Sequence, residues 1–182
     1  IVALMAPYLK RGGRRYDNVV LVIDTSASMG IRYNEDHTRL EEAVERAVDY
    51  IDSLSETSQV TILTADQEAQ IVKTNVTDKA ELKKALRGLQ VTDLSGDASV
   101  AVSVVQSMTS QWEQYQAVFM TDTSMELGNL DAQVMNLYTD YQNLSMDYVS
   151  YGTEYDEAGN ASMTVIGKIT NDTDQDVTTD VN

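Results

Sequence analysis

Val19 to Ile23 is an unbroken apolar run, Val-Val-Leu-Val-Ile, and it ends in Asp24. A short run of β-branched and aliphatic residues with no polar break predicts a strand buried on both faces, as in the interior of a parallel sheet. A chain built on such a strand needs covering layers above and below it, which points to an open α/β architecture. Open α/β sheets gather their ligands at the carboxyl ends of their strands. Here that end carries Asp24, Ser26 and Ser28 at alternate positions, followed by Met29-Gly30. Three hard oxygens can therefore converge on one point. A hard divalent cation takes one or two carboxylates, neutral oxygens and water in that way. A Ser-rich turn with a helix cap is the plainer use of the same residues.

The rest of the chain fits around this strand. Asn34 to Arg39 reads as a polar connector, in which Thr38 and Glu41 have capping-box spacing. Leu40, Ala43, Val44, Ala47, Val48 and Ile51 then recur at three and four, giving one apolar helix face up to about Leu54. Gln59–Thr64 and Ala69–Lys73 read as a hairpin through a short polar link, so one edge strand is expected to be antiparallel. Asp78 is placed to cap a helix to Leu86, which Gly88 stops. A further helix is expected over Asp97–Met108 and a strand over Ala117–Met120, ending at Thr121-Asp122. Beyond Thr123 helical periodicity fades. Strands are expected at Val134–Thr139, Leu144–Tyr151, Ser162–Thr170 and Asp176–Val181, with a polar turn over Gly152–Asn160. The predicted fold is a three-layer, Rossmann-like open sheet, mostly parallel with one antiparallel edge strand, followed by the start of a β-rich segment.

Composition removes several function classes. The chain has 182 residues and a net charge of −16, spread from Asp17 to Asp180. Nucleic-acid binding needs a basic face, so it is excluded as a role. There is no cysteine, which excludes disulfides and thiolate metal sites. The single histidine, His37, lies in the polar connector and reads as a surface residue. A Ser-His-Asp triad would have to use it, and no partner is evident.

The strand-terminal Asp24-x-Ser26-x-Ser28 resembles the metal-ion-dependent adhesion site of von Willebrand factor A domains, and residues 17–151 as a whole resemble such a domain. The resemblance implies Mg²⁺, with Mn²⁺ or Ca²⁺ as substitutes. It also implies two further loops at the site. Asp122 matches the aspartate of the family's usual Thr-Asp-Gly, acting through water or as an acceptor behind the ligands, although Thr123 stands where the glycine would be. The third loop runs from Val91 to Ser99 and offers two candidates. Aligning Ala101-Val102 with the family's helix puts Gly96-Asp97 where its threonine would fall, while Thr92 lies four to five residues early. Asp97 is the preferred ligand, Thr92 competes with it, and a simple helix cap is the other role open to Asp97. With Asp24, Asp97 and Asp122 the ion would be electrically satisfied. With Thr92 in place of Asp97 it would seek an acidic side chain from a protein partner.

A closer likeness is to bacterial membrane-anchored members similar to the aerotolerance-type BatA proteins. Ala6-Pro7-Tyr8-Leu9 and Thr92-Asp93 with Asp97 carry it. In that light residues 1–16 are expected to be a juxtamembrane or N-terminal arm, with Ile1–Ala6 as the tail of a missing membrane helix. Six apolar residues cannot span a bilayer alone, since about twenty are needed. Residues 152–182 are expected to begin a β-sandwich-like segment. The implied function is a metal-dependent protein-interaction module on the outer side of a membrane. The alternatives are a metal-dependent hydrolase or phosphotransferase, for which no accompanying base, lysine or phosphate-cradling loop is found, and a structural surface domain with a vestigial site.

Overall fold

The computed structural model describes residues 16–139, 144–155, 158–171 and 178. The expected N-terminal arm and the expected strand Asp176–Val181 lie outside the described residues, apart from positions 16 and 178. The chain divides into two compact units, one up to Tyr138 and one from Thr139.

In the first unit β1 (Asn18–Asp24) is followed by a 3₁₀ turn (Ala27–Gly30), α1 (Arg39–Ser53), β2 (Gln59–Ala65), β3 (Ala69–Val76) and α2 (Lys79–Arg87). A second 3₁₀ turn (Ala98–Ala101) runs into α3 (Val102–Thr109), and β4 (Tyr115–Thr121) and β5 (Ala132–Asn136) complete the sheet. The strand order is β3-β2-β1-β4-β5. β1 pairs in parallel with β2 on one side and β4 on the other, β4 pairs in parallel with β5, and only β2–β3 is antiparallel. The mostly parallel sheet with one antiparallel edge strand is thus the observed architecture.

Both faces of β1 are sealed, which explains its unbroken apolar run: residues 19–23 are each 0 % exposed. Val19, Leu21 and Ile23 join α1 and α2 through Leu40, Ala43, Ala47, Ile51, Leu82 and Leu86. Val20 and Val22 face the other way and pack with Ala98, Ala101 and Val105 of the second 3₁₀ turn and α3. Alternate residues of one strand therefore serve two covering layers.

The local start signals hold. Thr38 Oγ1 accepts from Glu41 N at 3.2 Å and Glu41 Oε2 accepts from Thr38 N at 2.7 Å, closing the capping box. That box holds the Glu41 carboxyl below its usual range, chiefly through the Thr38 backbone bond. Asp78 caps α2 by accepting from Ala80 N and Glu81 N. The helix expected from Asp97 is realised as the 3₁₀ turn followed by the shorter α3. Among the described residues no helix is long and apolar enough to cross a membrane.

In the second unit β6 (Leu144–Tyr155) pairs antiparallel with β7 (Ala161–Asn171). Residues 144–151, counted from sequence with the first domain, belong to this hairpin. The physical reason lies in the side-chain pattern. β6 alternates exposed Val149, Tyr151 and Tyr155 with Ser150, Gly152 and Glu154, a second face on which Tyr148 is the one large apolar residue described. An interior strand of a parallel sheet is apolar throughout; a strand polar on one face suits a two-stranded antiparallel ribbon.

Candidate metal centre

β1 and β4 are parallel neighbours, so their carboxyl ends lie side by side and deliver Asp24 and Thr121-Asp122 to one place. Asp24 is fully buried. Its Oδ1 accepts from Ser26 N at 3.0 Å and from Ser26 Oγ at 2.6 Å. Its Oδ2 accepts from Thr121 Oγ1 at 2.6 Å. Ser26 Oγ lies 3.3 Å from Ser28 Oγ, and Ser28 Oγ donates to Asp122 Oδ1 at 3.1 Å. Asp24, Ser26, Ser28 and Asp122 are thus one connected chain of hard oxygens. The structure brings together these four of the six residues singled out in the sequence.

The third loop sits beside the first but is bonded differently. Thr92 N donates to Thr25 O at 2.8 Å, and Ala27 N donates to Leu94 O at 2.9 Å. Thr92 Oγ1 lies 3.1 Å from Thr25 O and 3.2 Å from Asp66 Oδ2, so its one proton serves one of the two. Asp97 Oδ1 accepts from Ser99 N at 2.7 Å and caps the second 3₁₀ turn. No hydrogen bond among the described residues ties Asp97 to the Asp24–Ser26–Ser28–Asp122 chain.

Thr123 occupies the expected glycine position without strain. Asn75 is the one non-glycine residue with positive φ among those described, so the Asp122–Thr123 turn does not need glycine's freedom. Thr123 N instead donates to Thr121 Oγ1 at 3.2 Å.

Two residues were not singled out from sequence. Thr121 is buried and acts as a hydroxyl donor to Asp24. Its signal is the polar residue closing an apolar strand. Arg39 was counted in the polar connector, yet it opens α1, is buried, and places Nη1 2.5 Å from Asp122 Oδ2. The Tyr138 ring lies over its guanidinium, 5.3 Å from ring centroid to Cζ. Nothing local in the sequence distinguishes this arginine from a solvated one.

The electrostatics follow from burial. Desolvation pushes the Asp24 carboxyl above its usual range, the hydrogen bonds from Ser26 and Thr121 oppose that rise, and the nearby Asp122 charge adds to it. Arg39 pairs with Asp122, and no Lys or Arg among the described residues forms a salt bridge with Asp24. A buried carboxylate flanked by hydroxyls, without a cation of its own, is a donor set suited to Mg²⁺. Asp24, Ser26 and Ser28 are the groups that would hold the ion directly, with Asp122 accepting from Ser28 behind them.

His37 lies between Glu42 and Glu45, at 3.8 and 3.6 Å. Glu42 is already held by Arg46 at 2.7 Å, and Glu45 is exposed. This group reads as a surface polar cluster built on the Glu42–Arg46 ion pair.

The family model for the von Willebrand factor type A domain matches residues 19–125. No curated protein sequence matches the chain. Among solved structures, an aerotolerance-related membrane protein from Bacteroides fragilis is similar with a TM-score of 0.59 at 16 % identity, over 81 % of this chain and 80 % of that one. BatB from Bacteroides thetaiotaomicron is similar with a TM-score of 0.57 at 18 % identity, over 81 % and 79 %. At these identities the likeness is one of fold.

Proposed function

The chain belongs to the von Willebrand factor type A domain family, and from that premise we propose that it is a metal-dependent protein-interaction module. The observation that carries this reading is the convergence of Asp24, Ser26, Ser28 and Asp122 oxygens at the carboxyl edge of the sheet, where Ser26 donates to Asp24, Ser28 donates to Asp122 and the two hydroxyl oxygens lie 3.3 Å apart. Mg²⁺ supplies a Lewis-acidic point at the protein surface that an acidic side chain of a partner can complete. Mn²⁺ and Ca²⁺ offer the same hard-ion chemistry. The similarity to an aerotolerance-related membrane protein supports a membrane-associated setting, and a place for the domain outside the cytoplasm is part of the proposal.

A hydrolytic or phosphotransfer reading requires a general base or a phosphate cradle beside the ion. His37 is engaged with Glu42 and Glu45 instead, so the interaction reading is favoured. Turnover of phosphate or ester substrates by the Mg²⁺-loaded protein would reverse that preference.

Isothermal titration tests the metal reading. The protein should take up one Mg²⁺, and Asp24→Ala should lose that uptake by at least tenfold, since the variant deletes the fully buried carboxylate that would hold the ion directly. Affinity should also weaken on acidification earlier than for an ordinary carboxylate site. The carboxyl of Asp24 is raised, so it takes up a proton at a higher pH, and a protonated carboxyl is a poor ligand. Equal affinity in wild type and Asp24→Ala would leave only the structural reading of the domain.

A further inference from the structure

Arg39 introduces a fixed positive charge into a site whose chemistry otherwise calls for a cation. It is buried, it pairs with Asp122 through Nη1 at 2.5 Å, and the same nitrogen lies 3.4 Å from Ser28 O. Tyr138 covers the guanidinium. Capping by Thr38 fixes where α1 begins, and Arg39 N donates to Ile31 O at 2.9 Å, so backbone as well as side-chain bonds anchor this residue.

The charge count then matters. Ionised Asp24 and Asp122 bring two negative charges and Arg39 brings one positive charge, so these three sum to −1; Asp66 is also buried, but its carboxylate faces Gln67 N, Glu68 N and Thr92 Oγ1 and shares no hydrogen bond with them. A divalent ion raises the sum to +1. Without Arg39 the same two carboxylates would neutralise the ion completely. Asp97 keeps its charge but lies outside this sum, since it is only half-buried and its carboxylate caps the second 3₁₀ turn at Ser99 N.

We propose that Arg39 is the specificity-determining residue of this centre: a resident cation that weakens divalent-metal binding and leaves the bound ion short of one negative charge, so that an acidic side chain of a protein partner completes it. This rests on the metal reading of the Asp24 site. Arg39 also orients Asp122, because holding Oδ2 leaves Oδ1 to accept from Ser28. The two effects have opposite signs on metal affinity. Repulsion between a dication and the guanidinium should exceed the loss of one orienting hydrogen bond, because Arg39 is buried and water screens its charge poorly.

The test is titration of Mg²⁺ and Mn²⁺ into wild type, Arg39→Gln and Arg39→Lys, with the melting temperature of each metal-free protein recorded alongside. Arg39→Gln should bind the ion about tenfold more tightly or better. Arg39→Lys keeps the charge and should stay within about threefold of wild type. In the Mn²⁺-loaded proteins, acetate should displace bound water at lower concentration in wild type than in Arg39→Gln, read by water-proton relaxation. Equal or weaker metal binding by Arg39→Gln overturns the role of Arg39 while leaving the metal site intact. Absence of ion binding in wild type and in both variants overturns the metal reading and this inference together. Should Arg39→Gln not fold, the Lys variant decides alone: a change of more than about threefold would show that fork geometry rather than charge governs the site.

Discussion

Asp97 and Thr92 stand five residues apart on one loop, and each already has a partner that competes with a metal ion. The Asp97 carboxylate accepts a backbone N–H from Ser99, and the Thr92 hydroxyl faces Thr25 O and Asp66. Asn caps about as well as Asp, so Asp97→Asn deletes the charge and keeps the cap. If capping is its whole role, Mg²⁺ affinity stays within about threefold and stability within about 0.5 kcal/mol. A tenfold fall would return Asp97 to the ligand set and give the ion a third carboxylate. Thr92→Val keeps the shape and drops the hydroxyl, leaving either Thr25 O or the buried Asp66 carboxylate one donor poorer; a loss of about 1 kcal/mol is expected. Paired urea and Mg²⁺ titrations of the two variants separate the roles. At this scale the sequence was informative where chemistry is local. Asp24, Ser26 and Ser28 share one turn and declare themselves by spacing. Thr121 reaches Asp24 across 97 residues and Arg39 reaches Asp122 across 83, and no spacing rule spans such gaps.

Elements whose signals are short-range were legible for a similar reason. The capping box of α1, the Asp78 cap of α2 and the fully apolar β1 each declare a boundary within a few residues. The third loop was harder, because its shape is set by what it packs on. Gly96 has φ +147°, and a Cβ there would lie 2.1 Å from the Asp66 carbonyl oxygen. Glycine is required at that point by backbone conformation and by close approach together. The tight approach holds residues 92–97 against the turn after β2, while Thr92 N and Leu94 O bond the same loop to residues 25 and 27. Gly96→Ala should therefore push the loop away from β2 and cost about 2 kcal/mol or more. It should also weaken Mg²⁺ binding, since the loop braces the turn that carries Ser26 and Ser28. Thermal melts and metal titration of this variant check both effects; a variant with unchanged melting temperature would show that the loop shifts without resistance and is no brace.

For the whole molecule, the two units differ in how their strands are protected. β1 is hydrogen-bonded on both sides and covered on both faces, with residues 19–23 fully buried. The β6–β7 hairpin has no third strand among the described residues. Register pairs Tyr151 with Val165, so they share a face, and Val149, Tyr155 and Met163 fall on that face as well. All five are more than half exposed. The partition into a well-covered sheet and an exposed ribbon was only half legible from sequence. Apolar content marked 144–151 as a strand, but strand propensity does not say which sheet a strand joins. Two-stranded hairpins are marginal in water, so this ribbon draws little stability from its own contacts. Amide exchange followed by mass spectrometry should therefore show two classes. Amides of 19–23 should exchange only through global unfolding, and those of 148–155 and 161–169 through local opening, orders of magnitude faster. Raising the temperature toward the melt should accelerate the first class steeply and the second class weakly, because the two openings expose very different apolar areas. Equal protection in both segments would sink this division and require that the apolar face of the ribbon is covered in solution.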